Sequence, residues 1–399
     1  MKNNHFIKLI AVTVSSMGLT LVSSFILARL LSVQDRGLHQ LFVTSVSYVV
    51  TLATGGVGFA FALSMRHRQY QHWQRYFILF LAFAIIVAGI AVFLFDVTNY
   101  YALFIINVLL TAILTITLEK SKIDPKMIVY RRLTLQQPIL LVLVYGVTYA
   151  LWQEQPLKIA LYLLTLYSAI QAIFCLIYLY QMDKDFSQRN KIEKINPKFF
   201  FTTWFKQNLL QIFGATTTSL DKFLVVSFLG NYTLGLYTVC IAFDSLLTKF
   251  INMLADYYYS GLLNKLNRIK SVLAVIGLIS ISALILVPLL AKPVIVFFFS
   301  SKYAEVAPVL IWFIVNAIIA GLSWVLSQNM LLLGKQVLLF VRQLIAIVVF
   351  VVLFYLLRDL QLYGLAYAFI GASLTRLLIS LIYYFKYPIT DILVSNTTE

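Results

Sequence analysis

The sequence predicts an all-α polytopic membrane protein of about twelve transmembrane helices in two six-helix bundles, and three observations carry that expectation. Of 399 residues, 61% are hydrophobic and only 12% charged, whereas about a quarter of the residues of a soluble domain carry charge. Apolar runs of the ~20 residues needed to cross a bilayer recur along the whole chain, broken by charge clusters and by Gly, Pro or Asn. Finally, the stretch ARLLSVQDRGLHQ (28–40) returns as VSFLGNYTLGLYT (226–238), sharing Leu31/Leu229, Gly37/Gly235 and Leu38/Leu236 at an offset of 198 residues. An offset of half the chain, in so apolar a sequence, indicates tandem membrane bundles rather than a solenoid.

The first helix, 6–29, resembles a signal peptide at its start, but its apolar run is long and lacks a small-x-small cleavage site, so it is expected to be retained. Thr13, Ser16, Thr20, Ser23 and Ser24 give it a polar face. The second, 38–64, contains TGGVGFAFA (54–62), where glycines permit close packing or bending. The third to sixth cover 76–95, 100–118, 135–152 and 157–181. The polar stretch 182–198 then serves as a cytoplasmic linker, dividing an N-terminal bundle (1–181) from a C-terminal one (199–399). Helices seven to twelve cover 200–229, 233–262, 271–291, 305–333, 336–357 and 362–386, with Pro288 and Pro293 read as stop signals for the ninth.

Assigning loops alternately to two sides collects twenty Lys and Arg on one of them, including Lys2, Lys120, Lys122, Lys126 and Lys265. Only Arg29, Arg36, Lys158, Lys292, Lys302 and Arg358 fall on the other. This asymmetry places both termini in the cytoplasm. It also explains the net charge of +16 without nucleic acid, because the basic residues sit in short clusters between apolar segments. Cys175 and Cys240 lie in separate spans and read as packing residues.

Charges inside spans point most directly to function, since each costs about 2.5–3.5 kcal/mol near the bilayer centre on insertion scales unless it meets a cavity or a partner. On helix seven, Lys206, Gln207, Gln211, Asp221 and Lys222 share one polar face with several threonines. On helix eight the face holds Lys249, Asn252 and Asp256, with Asp244 at its edge, and helix twelve places Arg376 near mid-depth. These faces are expected to line a water-filled cavity, the alternative being hydrogen-bonded seams inside each bundle. On that alternative Lys222 and Asp244 are the expected ion pair, and Asp221 and Lys222, as sequence neighbours, are expected to point apart. Lys206, Lys222, Lys249, Arg342 and Arg376 outnumber the three aspartates by two, which suits a dianionic headgroup. Lys206 and Arg342 are near enough to the cytoplasmic side to snorkel.

Motifs for catalysis are missing. The four histidines show no metal-ligand spacing on a helix face, and TGGVGFAFA lacks the preceding strand and following Lys of a P-loop. Neither a metal nor a cofactor is expected, and the chain reads as a non-enzyme.

Several stretches together resemble the polysaccharide branch of the multidrug/oligosaccharidyl-lipid/polysaccharide (MOP) exporter superfamily, which includes the Wzx O-antigen flippases. ARLLSVQDRG (28–37), with Arg29 and Gly37, is similar to that branch's R-L-L-G-x-x-x-x-G pattern, Ser32 replacing one glycine. DKFLVVSFLGNYTLGLY (221–237), with Gly230, Gly235 and Tyr237, is similar to its second motif, and VIVFFFSSKYAEVAPVL (294–310) and QNMLLLGK (328–335) resemble later ones. The resemblance implies a V-shaped, alternating-access transporter in a bacterial cytoplasmic membrane. It would flip an undecaprenyl-pyrophosphate-linked oligosaccharide for O-antigen, lipopolysaccharide or capsule synthesis, alongside a polymerase and a chain-length regulator. Lys206, Lys222, Lys249 and Arg376 would attract the pyrophosphate, and Asp221, Asp244 or Asp256 would couple protons or sodium, with Gln211 and Asn252 bonding the glycan. Two rival readings are a cation-coupled drug exporter of the same superfamily, which would normally carry an acid on helix one, and a membrane glycosyltransferase or polymerase, which would need sizeable outside loops.

Overall fold

Long apolar runs with few breakers fold as helices, because in lipid the backbone must satisfy its own hydrogen bonds. A computed structural model describes residues 3–95, 98–124, 127–152, 154–189, 191–263 and 266–387. Lys2, Lys126 and Lys265, on which part of the charge asymmetry rests, lie outside the described residues. The chain runs α1 (Asn3–Leu30), α2 (Val33–Thr54), α3 (Val57–Arg66), β1 (Gln69–Gln71), α4 (Trp73–Leu94), α5 (Tyr101–Ser121), α6 (Ile128–Leu151), α7 (Leu157–Arg189) and β2 (Glu193–Lys194). It continues through α8 (Pro197–Leu263), α9 (Ile269–Phe298), α10 (Ala307–Leu326), α11 (Gln328–Leu332), α12 (Gln336–Leu357) and α13 (Leu362–Lys386).

Two breaks account for the span count. At ~1.5 Å per residue an unbroken α8 would measure about 100 Å, more than three times the ~30 Å hydrocarbon core. Gly230 interrupts it with φ 84° and ψ 175°, so 197–229 and 231–263 are separate helices, close to the expected 200–229 and 233–262. The expected second helix is also two pieces, α2 and α3, bent by 40° at Gly55–Gly56. With that pair taken as one span and α8 as two, the described residues supply twelve apolar helices of spanning length.

One local expectation is corrected. Helix nine passes through both Pro288 and Pro293 and ends only at Phe298; each proline removes one backbone donor, a loss that a membrane helix tolerates when neighbours or local distortion re-satisfy the freed carbonyl. Along the polar stretch 182–198, α7 stays helical to Arg189 and β2 pairs in parallel with β1. Compact packing divides the chain at 226/227, giving units Met1–Val226 and Ser227–Glu399. The boundary falls late because the 197–226 part of α8 is bonded to α2 and α5 of the first unit, as described below.

In the first unit α1 lies along α6, and α5 contacts α2, α3, α4 and α7. Its cores gather Val49, Ala53, Phe104 and Leu161 in one cluster and Phe61, Tyr70, Trp73 and Phe200 in another. In the second unit α10 packs on α9 and α13, and α13 on α12, with Ile251, Tyr258, Val272 and Val325 buried between helices. Outward-facing Phe93, Leu278, Leu289 and Phe297 are exposed, the surface expected of a protein whose solvent is lipid.

Candidate functional site

The first unit builds its polar centre around the Gly55–Gly56 break. Ending α2 there leaves carbonyls without helical partners, and Asn208 supplies donors from α8. Its Nδ2 lies 2.8 Å from Thr51 O and 3.1 Å from Gly55 O. Gly56 adopts φ 79°, and a Cβ there would stand 2.9 Å from Gln207 Cβ, so backbone and packing both require glycine. The glycine run thus serves bending and close approach, not phosphate binding. One turn from Asn208, Gln211 Nε2 donates to Glu119 Oε1 on α5. Glu119 Oε2 is buried with no hydrogen-bond partner, while the N–H groups of Gly56 and Phe59 lie close to the carboxylate. These residues border a cavity of about 640 Å³ that also reaches Arg66, Arg68, Lys122 and Gln207.

Beside it, Lys120 is completely buried. Its ammonium lies 4.4 Å from the ring centres of both Tyr70 and Trp73 and donates to Tyr70 Oη. Burial, and after it the Asp183 carboxylate, push the Tyr70 hydroxyl well above its usual pKa, so it stays a neutral acceptor. Lys120 is therefore not the solvated loop charge the sequence suggested, because its four-carbon stem reaches back into the aromatic core.

Lys222 also departs from expectation. Its Nζ lies 3.1 Å from Asp221 Oδ1 and 2.7 Å from Thr218 O, so the adjacent residues do pair. Adjacent Cα–Cβ vectors diverge by about 100°, but the long lysine stem folds back across that angle. Lys206 is exposed. The serine face of α1 is partly a seam, with Ser16 Oγ donating to Thr134 O at 3.0 Å and Ser24 accepting from Arg36 at 2.9 Å.

In the second unit the predicted residues separate into two groups. Asp244 accepts from Asn316 Nδ2 at 3.3 Å; Ser373 Oγ donates to Asn316 Oδ1 at 2.6 Å; and Arg376 Nη2 donates to Ser373 Oγ at 2.8 Å. Arg342 donates to Ser380 Oγ at 2.6 Å and to Ser323. Asp244, Arg342 and Arg376 thus belong to hydrogen-bonded seams joining α8, α10, α12 and α13. Lys249, Asn252 and Asp256 form the other group, spaced i, i+3, i+7 on one face of α8, with Lys249 and Asp256 exposed and Asn252 half-buried.

The motif residues are structural: Gly37 and Gly235 are buried, Arg29 is half-buried, Gly230 makes the break in α8, and Tyr237 packs 5.6 Å from Phe313, ring to ring. Sequence reasoning missed Glu119, Asn208 and Asn316. The only signal for Asn208 was its place three residues before Gln211 on the same polar face.

Comparison with known proteins agrees with this architecture. The sequence profile of a family described as "Polysaccharide biosynthesis protein" matches residues 26–308. Among solved structures, an inward-facing multidrug resistance MATE family transporter of the MOP superfamily is 13% identical, with 98% of this chain and 99% of that one covered and a TM-score of 0.56. A MATE transporter in the straight conformation is 12% identical, with 98% and 97% covered and a TM-score of 0.52. The eukaryotic MATE transporter AtDTX14 is 13% identical, with 97% and 94% covered and a TM-score of 0.51. At these identities the likeness is one of fold. No curated protein sequence matches significantly.

Proposed function

From a chain that belongs to the polysaccharide biosynthesis protein family and has an all-α polytopic membrane transporter fold, we propose a flippase for undecaprenyl-pyrophosphate-linked oligosaccharides in a bacterial cytoplasmic membrane, with both termini cytoplasmic. The observation that carries this reading is the Lys249–Asn252–Asp256 face of α8, with both charges exposed. Exposed to lipid, each charge would cost about 2.5–3.5 kcal/mol on insertion scales, so the face belongs on a hydrated path. A path with cationic and hydrogen-bonding groups removes the main barrier to flipping, which is drawing a pyrophosphate and sugar hydroxyls through hydrocarbon. Within the second unit Lys249 supplies charge for the pyrophosphate, Asn252 bonds sugar hydroxyls, and Asp256 is the exposed acid available to a coupling cation. A polymerase and a chain-length regulator would consume the flipped repeat unit.

The test is genetic and chemical. A deletion strain is expected to lose the surface polymer and to accumulate lipid-linked repeat units on the cytoplasmic leaflet, and the wild-type chain to restore both. Normal polymer in a clean deletion, with no second transporter present, would remove the flippase reading.

A further inference from the structure

A second cavity of the first unit, where β1 and β2 meet the starts of α4 and α8, takes no part in the flippase reading. The parallel strand pairing sets Gln71 opposite Lys194, and a left-handed His72, at φ 63°, turns the chain so that α4 begins at Trp73. At the start of α8, Asn196 Oδ1 accepts from the Phe199 N–H at 3.3 Å. The two helices then close on each other through aromatic rings, Tyr76 on Phe200 and Phe80 on Trp204, each pair 5.0 Å between centres. Beside that seam, and sharing Tyr76 with it, lies a space of about 670 Å³, in the size range of small-molecule sites. Arg75 and Lys194 line it, both exposed, and neither makes an ion pair among the described residues. None of the described residues that line it is acidic.

The remaining wall is apolar and does not end at the cavity. Leu79 and Phe201 line it and are exposed. From each an exposed stripe runs on at the spacing of one helix face, through Phe83 and Ile86 on α4 and through Phe205 and Leu209 on α8. The cleft is therefore continuous with the surface that lipid covers. A soluble anion would meet the cations and leave this wall in water. A zwitterionic phospholipid would bring a cation of its own toward Arg75 and Lys194. An anionic phospholipid satisfies both parts, with its phosphodiester at the two cations and its acyl chains along the stripes. We propose that the cleft holds the headgroup of an anionic phospholipid, phosphatidylglycerol or cardiolipin, as a resident lipid of the first unit. Basic pockets at headgroup depth recognise lipids of this class, and on the proposed orientation this one opens to the cytoplasmic leaflet. Such binding is independent of what the protein transports.

In the experiment the full chain is purified in detergent and given equal amounts of phosphatidylglycerol and phosphatidylcholine, and the retained lipid is counted by native mass spectrometry. Wild type is expected to retain phosphatidylglycerol over phosphatidylcholine by at least about tenfold, since each Lys or Arg near an anionic headgroup contributes roughly fivefold. Arg75→Gln/Lys194→Gln is expected to lose about tenfold or more of that preference. Lys191→Gln/Lys270→Gln, which removes two exposed cations outside the cleft, is expected to keep it. Both cleft side chains are exposed, so the double variant should melt like wild type in phosphatidylcholine; if it does not, the two single variants, each losing roughly fivefold, carry the test. Equal retention of the two lipids by wild type, an undiminished preference in the cleft variants, or an equal loss in Lys191→Gln/Lys270→Gln overturns the proposal. Millimolar glycerol 3-phosphate is expected to leave the lipid in place, because it has no acyl chain for the apolar wall. Displacement by it would reassign the cleft to soluble anions and overturn the lipid. Release of bound phosphatidylglycerol by undecaprenyl pyrophosphate and not by cardiolipin would mark a path for the transported lipid, and overturns a resident phospholipid as well.

Discussion

Lys120 Nζ lies away from water, 4.4 Å from two aromatic ring centres, an arrangement worth about 2 kcal/mol or more for a desolvated ammonium. Lys120→Ala should therefore lower stability by about 2–4 kcal/mol through the lost cation–π contacts and the cavity left behind. Lys120→Met should lose less, because it keeps the stem volume and removes a buried charge. Thermal melting of the purified protein decides, and equal melting of wild type and Lys120→Ala would show that the box does not hold the fold together. The sequence could not reveal this residue, since Tyr70 is 50 positions away and a lysine ending an apolar helix looks like any other boundary charge. The Asp221–Lys222 pair was hidden for a related reason: helical geometry fixes Cβ directions, not where a flexible stem ends. Lys249, Asn252 and Asp256 were legible because their common face depends on spacing alone.

Breaks decide the elements here, and two glycines make comparable ones in different surroundings. Gly56 is left-handed, at φ 79° and ψ −6°, which costs a side-chain-bearing residue about 1–2 kcal/mol, while Gly230, at φ 84° and ψ 175°, sits in a region essentially reserved to glycine, at about 1–3 kcal/mol. A Cβ at Gly230 meets nothing within 4 Å, whereas one at Gly56 runs into Gln207 and Asn208. Gly56→Ala should therefore destabilise through both backbone and packing and Gly230→Ala through backbone alone, measured by denaturation or by the yield of folded protein, and a Gly230→Ala variant as stable as wild type would show that the break in α8 does not need glycine. Asn208→Leu should also be severe, because the carbonyls at the end of α2 lose their donor at about 1–3 kcal/mol per buried group; a variant as stable as wild type would show that water replaces the amide. Gly230 was readable as an element boundary because a glycine and an asparagine interrupt two apolar runs. The break inside α2–α3 was anticipated only as a bend, and the two prolines of α9 misled because the rule that stops helices in water is relaxed in a bilayer.

At the scale of the whole molecule, the seams and the exposed face make separable predictions. Lys249→Ala should reduce export while leaving normal amounts of protein in the membrane. Asn316→Leu should reduce the amount of protein itself, because it removes the amide that bonds both Asp244 and Ser373. Immunoblotting beside a polymer assay distinguishes them, and a normally exporting Lys249→Ala would move the hydrated path elsewhere. Orientation is tested by labelling: a cysteine at exposed Asp359 should react in intact cells and one at Gln188 only after permeabilisation. The twelve-span tally and the repeat were visible in the sequence because hydrophobicity and half-chain similarity are properties of composition and order. The division at 226/227 was not, since it depends on side-chain bonds from Asn208 and Gln211 to distant helices. Lys120 has one further consequence, in the order of events during synthesis. When α5 enters the bilayer β1 and α4 have already been made, but the box is complete only once the unit has packed, so on the proposed orientation the insertion machinery meets Lys120 as one of the twenty charges expected to hold loops inside. The same ammonium is first a signpost for the growing chain and later part of its interior, and a substitution there would be felt at both times, in the fraction of chains threaded correctly and again in the stability of those that are.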